Sequence, residues 1–354
     1  MSLEKILNIK VSEDRIERVK SLVRFDIPDR SEEVKNFLTS QQLRFVNIQY
    51  ARFIAGVKFT QQDVNELLNG AIDCHAHGGS DPVDRLLLED EIAFDYSRAK
   101  MRAVVFKTWF TPSASRIPLL RKYLDRWAAE NAIKPVEIFG GITLNYSVGG
   151  INPDAVKRCL GFPGFKYVWM PMVDSYRHRQ LVYDDWSGAG IKLLDDRGKV
   201  LPRLTEVLKI AADNDLIVAS GHYSYSDTKA MFEEAKRVGV KRMEIIHPAH
   251  IHSKTLISEM KEAASEGVKL MISGLGTTAF PLHETGRVYA VRIIKEVGAD
   301  NLIYGSDYGQ IHNMSHLVGT EWTIKLLLAY GATKEEIKKI MQTTPAKHLG
   351  LVDG

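Results

Sequence analysis

Short apolar, β-branched runs alternate with amphipathic helical stretches along the chain from residue 71 onward. Eight of these runs are predicted to be strands, at residues 71–77, 103–107, 138–144, 166–171, 216–222, 243–247, 269–273 and 301–307. A helical stretch follows nearly every one of them. Eight strand–helix units in a segment of this length are typical of a (β/α)8 TIM barrel, which takes about 250 residues. We therefore predict an α/β fold of this class for residues 71–354.

Residues 1–70 consist of segments with helical periodicity, in which Ser12 and Ser31 occupy N-cap positions and Gly70 ends the last helix. We predict a helical N-terminal extension that forms a unit separate from the barrel. It packs on the barrel, covers its mouth or makes a subunit contact, and the sequence leaves these alternatives open.

The unit after the fourth predicted strand is longer than the others. Its segment GIKLLDDRGKVLP indicates a hairpin that turns at Asp196, Arg197 and Gly198. Long insertions at the carboxyl-terminal face of a barrel usually shape its substrate pocket.

The first predicted strand is AIDCHAH, residues 71–77, which places His75 and His77 two residues apart. Side chains alternate faces along a strand, so we expect both imidazoles to point the same way, together with Asp73, while Cys74 points outward into the core. Two imidazoles on one face can hold one cation. Asp73 is predicted to orient a ligand or to accept buried hydrogen bonds rather than to bind the metal itself.

Single polar residues also end later predicted strands: His222 ends the fifth, His247 the sixth and Asp307 the eighth. A doubly wound open sheet is the main rival architecture. A closed barrel is favoured because it brings the carboxyl ends of widely separated strands around one axis. We therefore predict that His75, His77, His222, His247 and Asp307 are metal ligands.

Imidazole and carboxylate side chains suit zinc and similar divalent metals. We expect zinc, as one or two ions, with manganese, nickel or iron as alternatives. Binding to a metal lowers the pKa of water from ~16 towards ~7, so that hydroxide is present at neutral pH. Asp307 can both ligate the metal and accept the proton of this water.

The order of these residues resembles that of the amidohydrolase superfamily of metal-dependent hydrolases. The ending TTPAKHLGL, residues 343–351, is similar to the Asn-Pro-Ala and Leu-Gly segment that closes many such barrels, with Thr344 where asparagine is common. The segments GGITLNYSVGGINPDAV, VWMPMVDS and SDYGQ resemble a poorly characterised branch. The resemblance implies an enzyme that cleaves a small amide, lactone or ester with a metal-bound hydroxide, and it gives Asp307 the role of proton acceptor.

The fourth predicted strand departs from the binuclear members of that superfamily, which carry there a carboxylated lysine or a glutamate that bridges two metals. This chain has the sequence WMP at that point, and Lys107, at the end of the second strand, is the lysine placed to substitute. Lys107 is interpreted as a cationic anchor for an anionic substrate group, as a carbamylated bridge, or as a lysine snorkelling at the barrel rim. His247 either binds metal or donates a hydrogen bond to the substrate. The candidate catalytic residues are therefore Asp307, His247 and Lys107.

The sequence provides weaker evidence that other polar residues belong to the site. His250 and His252 either line the pocket or form a solvated loop pair. Asn145, Arg177 and His178 are candidate substrate contacts, although a lone histidine such as His178 is more often a core or surface residue. The remaining histidines are interpreted as core or surface residues: His283, His312, His316 and His348.

The charge balance limits the classes of partner. The chain has 47 basic and 44 acidic residues and a net charge of +3, which provides no strong field for nucleic acid or an anionic membrane. It has two cysteines, no apolar run of membrane-spanning length and no signal-peptide pattern. We expect a cytoplasmic protein that acts on a small-molecule substrate and assembles as a homo-oligomer.

Two alternatives to a hydrolase stay open. Some barrels with similar ligands are metal-dependent non-oxidative decarboxylases of small carboxylic acids, and metal stoichiometry together with the state of Lys107 would separate the two reactions. A non-catalytic barrel that keeps its metal only for stability is disfavoured by Asp307, because a fully ligated structural zinc needs no base.

Overall fold

A computed structural model describes residues 59–250, 252–278 and 284–351. Eight parallel strands form one sheet, in which each strand is hydrogen-bonded to the next in chain order. The strands are β1 Ile72–Ala76, β2 Ala103–Phe106, β3 Glu137–Thr143, β4 Phe165–Trp169, β5 Ile217–Ala219, β6 Arg242–Ile245, β7 Lys269–Ser273 and β8 Leu302–Gly305. Every strand begins within one residue of its predicted start, and the TIM-barrel prediction is confirmed.

Helices connect the strands and surround the sheet. They are α1 Gln61–Leu68, α2 Glu89–Arg98, α3 Ile117–Asn131, α4 Pro153–Cys159, α5 Tyr176–Val182, α6 Pro202–Asp213, α7 Tyr225–Arg237, α8 Ile257–Ser265, α9 Gly274–Thr278, α10 Glu284–Val297, α11 His316–Ala329, α12 Lys334–Lys338 and α13 Thr344–Leu349. Local sequence explains helix starts: the side chain of Ser224 caps α7 by accepting from the Asp227 amide, and Pro202 opens α6. None of the described helices is long and apolar enough to cross a membrane.

The barrel closes between β1 and the residues that follow β8. The Asp307 amide donates to the His75 carbonyl at 2.7 Å, and the His77 amide donates to the Tyr308 carbonyl at 3.0 Å. This seam places the predicted metal ligands of the first and last strands side by side.

Apolar side chains fill two layers. Alternate strand residues such as Ile72, Val105 and Ile303 pack inside the barrel. Their neighbours along β2, Val104 and Phe106, pack in the layer between the strands and the helices. The alternation expected for a strand buried on both faces therefore holds along β2.

The alternation predicted for β1 is broken by a register shift. Between Asp73 and Ala76, three steps along β1 match two steps along β2. Cys74 packs with the residues of the barrel interior, and Asp73 faces α2, where Tyr96 donates to its carboxylate at 2.7 Å. The prediction that Asp73 shares a face with the two histidines while Cys74 points outward is wrong, because the extra residue in β1 changes the phase of the strand.

Helix α1 is the described part of the predicted N-terminal extension. It ends shortly before Gly70, which has a φ of +84°, and Val64 on its inner face is buried. Lys334 of α12 pairs with Asp63, so that α1 packs on the barrel. The rest of the predicted extension, residues 1–58, lies outside the described residues.

The insertion after β4 contains α5 and then the predicted turn. The Asp195 amide donates to the Lys199 carbonyl at 2.8 Å, and the Gly198 amide donates to the Asp195 carbonyl at 2.9 Å. Leu194 and Val200 form an antiparallel bridge. The chain therefore reverses direction where the sequence predicts.

Candidate metal centre

Two imidazoles and one carboxylate meet at the barrel seam. The Oδ1 atom of Asp307 lies 3.5 Å from Nε2 of His75 and 3.3 Å from Nε2 of His77. Both histidines are buried, whereas the Asp307 side chain is 15% exposed. Asp307 has a φ of +57°, a left-handed backbone conformation of the kind that concentrates at functional sites. The ligand atoms of the three side chains lie close enough together to hold one ion.

The protonation states of these residues suit a metal. Burial and, after it, the positive charge of Lys107 lower the pKa of His75 well below its ordinary value. Burial lowers the pKa of His77 to about 4. Burial opposes ionisation of Asp307, but the hydrogen bond with His77 and the nearby His75 and His247 hold its pKa well below its usual range. The Nδ1 atoms of His75 and His77 are buried and have no hydrogen-bond partner among the described residues. Neutral imidazoles beside an ionised carboxylate fit the ligand set that zinc takes.

Lys107 is buried beside this cluster. Its Nζ lies 3.1 Å from Nε2 of His75, and the residue is only 1% exposed. Burial lowers the pKa of Lys107 to about 7, although the negative charge of Asp307 opposes this shift. Snorkelling at the rim requires the amine to reach solvent, and the buried amine of Lys107 does not. Because its pKa is about 7, the neutral form of the amine is well populated near neutral pH.

Trp169, at the end of β4, lies next to Lys107 and His75. Its ring centroid is 5.8 Å from Nζ of Lys107 and 6.3 Å from the His75 ring. It stacks on Tyr167 at 4.8 Å, and the Tyr167 hydroxyl donates to Glu244 at 2.9 Å. In the described part of the chain, Nε1 of Trp169 is buried and has no hydrogen-bond partner. This N–H is a donor that an oxygen of a bound molecule can use.

His247 lies between the cluster at the seam and His222. Its ring centroid is 6.1 Å from that of His75 and 5.2 Å from that of His222. Burial lowers the pKa of His247 to about 3, and its backbone has a φ of +28°. The structure thus brings all the predicted ligands to one mouth of the barrel. His222 and His247 do not share the close cluster of His75, His77 and Asp307.

His222 has its close contacts with His178 of α5 and His252 of the loop after β6. Its Nδ1 lies 2.8 Å from Nδ1 of His178, and its ring stacks on that of His252 with centroids 4.0 Å apart. One ring nitrogen from each of the three histidines lies within 4.8 Å of the others. Burial lowers the pKa of all three, to about 4 for His178 and about 2 for His252.

Hydrogen bonds fix the segments that bring His178 and His252 to the mouth. Ser175, the N-cap of α5, donates through its hydroxyl to the His222 carbonyl at 2.8 Å and accepts from the His178 amide at 3.0 Å. Arg177 donates through Nε to the His252 carbonyl at 2.9 Å. The sequence does not predict either histidine as a ligand, because neither stands at the end of a strand and only the folded insertion brings them together.

Asp73 joins the two sides of the barrel seam through hydrogen bonds. Its Oδ1 accepts from the amides of His75 at 3.0 Å and Ser306 at 2.8 Å, and its Oδ2 accepts from the Tyr96 hydroxyl at 2.7 Å. Burial raises the pKa of Asp73, and the donated hydrogen bonds oppose this effect. The predicted role as a buried hydrogen-bond acceptor is confirmed.

The side chain of Asn145, a candidate substrate contact, forms hydrogen bonds with backbone groups. It donates through Nδ2 to the Trp109 carbonyl and accepts through Oδ1 from the Met172 amide, both at 2.8 Å. Asn145 is fully buried and joins the loops after β2, β3 and β4, so its observed hydrogen bonds are structural. Among the other histidines, His316 donates to the His77 carbonyl at 3.0 Å and thereby supports the seam.

The barrel is similar to those of amidohydrolases. An amidohydrolase from Pseudomonas aeruginosa matches with a TM-score of 0.53 at 14% identity, over 82% of this chain and 98% of that one. An amidohydrolase from Burkholderia multivorans with bound zinc has a TM-score of 0.50 at 14% identity, over 80% and 99%. A dihydroorotase has a TM-score of 0.50 at 14% identity, over 80% and 70%. At these identities the similarity establishes the fold and not the reaction.

The chain belongs to a family of unknown function (DUF6282), which it matches over residues 70–271. This match covers more than half of the chain and spans β1 to β6, and Asp307 lies beyond it. No curated protein matches the sequence. The reaction therefore has to be inferred from the site.

Proposed function

We propose that this protein is a metal-dependent hydrolase that acts on a small amide, lactone or ester. The observation that carries this proposal is the meeting of His75, His77 and Asp307 at the barrel seam, with Oδ1 of Asp307 at 3.5 and 3.3 Å from the two imidazoles. Zinc is the expected metal, held by these three residues, with His222 and His247 as further candidate ligands. The similarity of the fold to amidohydrolases, one of them with bound zinc, supports the proposal.

The ion supplies Lewis acidity when bound, which polarises a carbonyl and lowers the pKa of water towards ~7. Asp307 is ionised and partly exposed, so its carboxylate can take the proton that an attacking water loses and then deliver it to the leaving group. His247 either holds the ion or donates a hydrogen bond to the substrate carbonyl oxygen.

Lys107 defines the substrate class within this proposal. In its protonated form the buried amine pairs with an anionic group of the substrate, such as a carboxylate. In its neutral form, which its pKa of about 7 makes accessible, the amine adds to carbon dioxide and loses a proton to give a carbamate. The unpartnered N–H of Trp169 can donate to an oxygen of either group. Both alternatives make Lys107 necessary for turnover.

Removal and return of metal test the proposal. The full-length protein is assayed against a panel of small lactones, p-nitrophenyl esters and anilides, before and after dialysis against a chelator, and again after Zn²⁺ is added. We expect turnover to disappear with the metal and to return with zinc. His77→Ala should lose turnover, whereas His312→Ala, which changes an exposed histidine, should keep it. Turnover that survives complete removal of metal would refute the proposal.

A further inference from the structure

We propose that Arg85, in the loop that joins β1 to α2, anchors a carboxylate of the substrate. The small amide, lactone or ester then belongs to a molecule that also carries a carboxylic acid group. This inference rests on the proposed function, because it names the substrate class of the same site. It adds a permanent cation to the mouth of the barrel, whereas the charge of Lys107 depends on its protonation.

One edge of the Arg85 guanidinium is held by Asp81, and the other edge is open. Nε and Nη2 of Arg85 donate to Oδ2 of Asp81 at 3.1 and 2.6 Å. With the described residues, the side chain of Arg85 makes no hydrogen bond other than these two. The edge formed by Nη1 and the second N–H of Nη2 can therefore donate to both oxygens of a carboxylate.

The ion pair of Asp81 and Arg85 is buried, and its hydrogen bonding is incomplete. The side chains of Asp81 and Arg85 are 0% and 1% exposed. Oδ1 of Asp81 has no hydrogen-bond partner in the part of the chain that the structure describes. A buried ion pair adds little stability unless further hydrogen bonds satisfy its remaining groups. These open groups favour a role in binding over a role in stability.

The ring of Trp109 lies between this guanidinium and a candidate metal ligand. Cζ of Arg85 lies over the Trp109 ring, 5.1 Å from its centroid. The same ring packs at a steep angle to the His77 ring, with centroids 5.7 Å apart. One ring therefore separates Arg85 from His77, and a small molecule at the mouth can reach both.

Backbone pairing fixes the loop that carries Arg85 against the segment after β8. Arg85 and Gln310 form an antiparallel bridge, and the Leu86 amide donates to the Gly309 carbonyl at 2.9 Å. Gln310 in turn donates through Nε2 to the Asp307 carbonyl at 3.0 Å. The anchor and the proposed proton acceptor therefore keep a fixed relative position, as a site that orients its substrate requires.

The charge of the ion pair selects the class of anion. Arg85 stays protonated at every physiological pH, and its planar edge matches the two oxygens of a carboxylate. Asp81 balances its charge, so that binding depends on two parallel hydrogen bonds more than on long-range attraction. This balance favours a singly charged carboxylate over a doubly charged phosphate.

Matched esters test the inference on the zinc-loaded, full-length protein. The p-nitrophenyl half-esters of succinate, glutarate and adipate are compared with the same esters in which an amide replaces the free carboxylate. We expect the wild type to favour the half-esters in kcat/KM by about 10- to 100-fold, as expected for a pair of charge-assisted hydrogen bonds. Arg85→Gln should remove this preference.

Two further variants separate an anchor from an ion pair that only holds the loop. Asp81→Asn keeps the guanidinium and removes the negative charge beside it, so the preference for half-esters should persist or increase. Arg85→Lys keeps the charge but loses the planar edge, so it should retain only part of the preference. An ion pair that only holds the loop predicts instead that Arg85→Gln and Asp81→Asn impair both kinds of ester equally, and this result would overturn the anchor.

Arg98→Gln is the matched control, because Arg98 has a similar environment on the outside of the barrel. Its Cζ lies 5.1 Å from the centroid of the Trp127 ring, and it pairs with Asp95 at 3.3 Å. The side chain of Arg98 is 55% exposed. Arg98→Gln should keep the wild-type preference.

Binding to the zinc-free protein separates failure of the anchor from failure of the proposed function. Carboxylates can bind zinc directly, so succinate, glutarate, adipate and their diamides are titrated calorimetrically into protein stripped of metal. We expect at least one diacid to bind the wild type about tenfold or more tightly than its diamide, and Arg85→Gln with native circular dichroism to lose this difference.

The outcomes of the two experiments are distinct. A wild type that binds diacids and diamides equally, or binds none of them, would overturn the anchor, as would a difference that Arg85→Gln retains. Either result leaves metal-dependent turnover of the esters, and with it the proposed hydrolase, intact. Binding of a diacid that depends on Arg85, without metal-dependent turnover of any ester, would confirm the anion site and refute the hydrolase.

Discussion

Replacing Asp73 with alanine should loosen the barrel seam that positions the metal cluster. Asp73 is fully buried and accepts three hydrogen bonds, from the amides of His75 and Ser306 and from the Tyr96 hydroxyl. Each buried donor left without an acceptor costs about 1–3 kcal/mol. We therefore expect Asp73→Ala to lower the free energy of unfolding by about 3 to 5 kcal/mol, a large share of the total stability of a typical domain.

Two related variants separate the hydrogen bonds. Asp73→Asn retains an oxygen that can accept from both amides, so it should cost only about 1 kcal/mol. Tyr96→Phe removes one donor and leaves the carboxylate with the other two, and should cost about 1 to 2 kcal/mol. The ranking Asp73→Ala, then Tyr96→Phe, then Asp73→Asn follows from the number of groups left unpaired.

The assay is urea unfolding of the metal-free full-length proteins, followed by circular dichroism, with zinc affinity measured by competition against a chromophoric chelator. Because Asp73 holds the backbone of His75 and the residue before Asp307, we expect Asp73→Ala to weaken zinc binding by about 10- to 100-fold. A stability within about 1 kcal/mol of the wild type, together with unchanged zinc affinity, would refute the assigned role of Asp73.

Three further perturbations have defined outcomes. Asp307→Asn should lower kcat by ~10²-fold or more while part of the metal is retained, because an amide can coordinate through oxygen but cannot accept the proton of water; near wild-type kcat with full metal would remove Asp307 from the mechanism. Lys107→Ala should impair turnover; rescue by small carboxylic acids with metal would identify a carbamate, and a raised KM without loss of metal would identify a substrate anchor. Burial holds the pKa of His247 at about 3 and that of His252 at about 2, whereas both titrate near about 6.5 in the unfolded chain. Their contribution to the stability of the metal-free protein is therefore complete above about pH 6.5 and is lost as the pH falls towards these native values, by up to about 1.4 kcal/mol per pH unit for each histidine. Urea unfolding between neutral and mildly acidic pH measures this slope, and a flat profile would contradict the buried neutral state.

The strands were predictable because each is a short apolar, β-branched run that a helix follows. A strand of a parallel barrel is covered on both faces, so its residues form an apolar run whatever its position in the ring. The predicted strand ends lie one to three residues beyond those of the structure in every strand except β7, so that His77 and Asp307 lie just past β1 and β8. The prediction of His75, His77 and Asp307 depends only on their being near these ends. Their meeting depends only on closure of the ring between the first and last strands.

Other features depend on interactions that the sequence pattern does not contain. The register shift in β1 inverts the expected directions of Asp73 and Cys74, and no residue in the run AIDCHAH signals an extra step. His178 and His252 come from a helix and a loop whose positions are set by Ser175 and Arg177. Long-range hydrogen bonds, rather than periodicity, therefore determine the second histidine cluster.

Anomalous diffraction from crystals of the zinc-loaded protein tests the central claim most directly. We predict a zinc peak at the barrel seam, within ~2.0 to 2.2 Å of Nε2 of His75, Nε2 of His77 and a carboxylate oxygen of Asp307. Data collected just above and just below the zinc absorption edge identify the element. Zinc-loaded crystals in which these three side chains are ordered but share no anomalous peak would contradict the account.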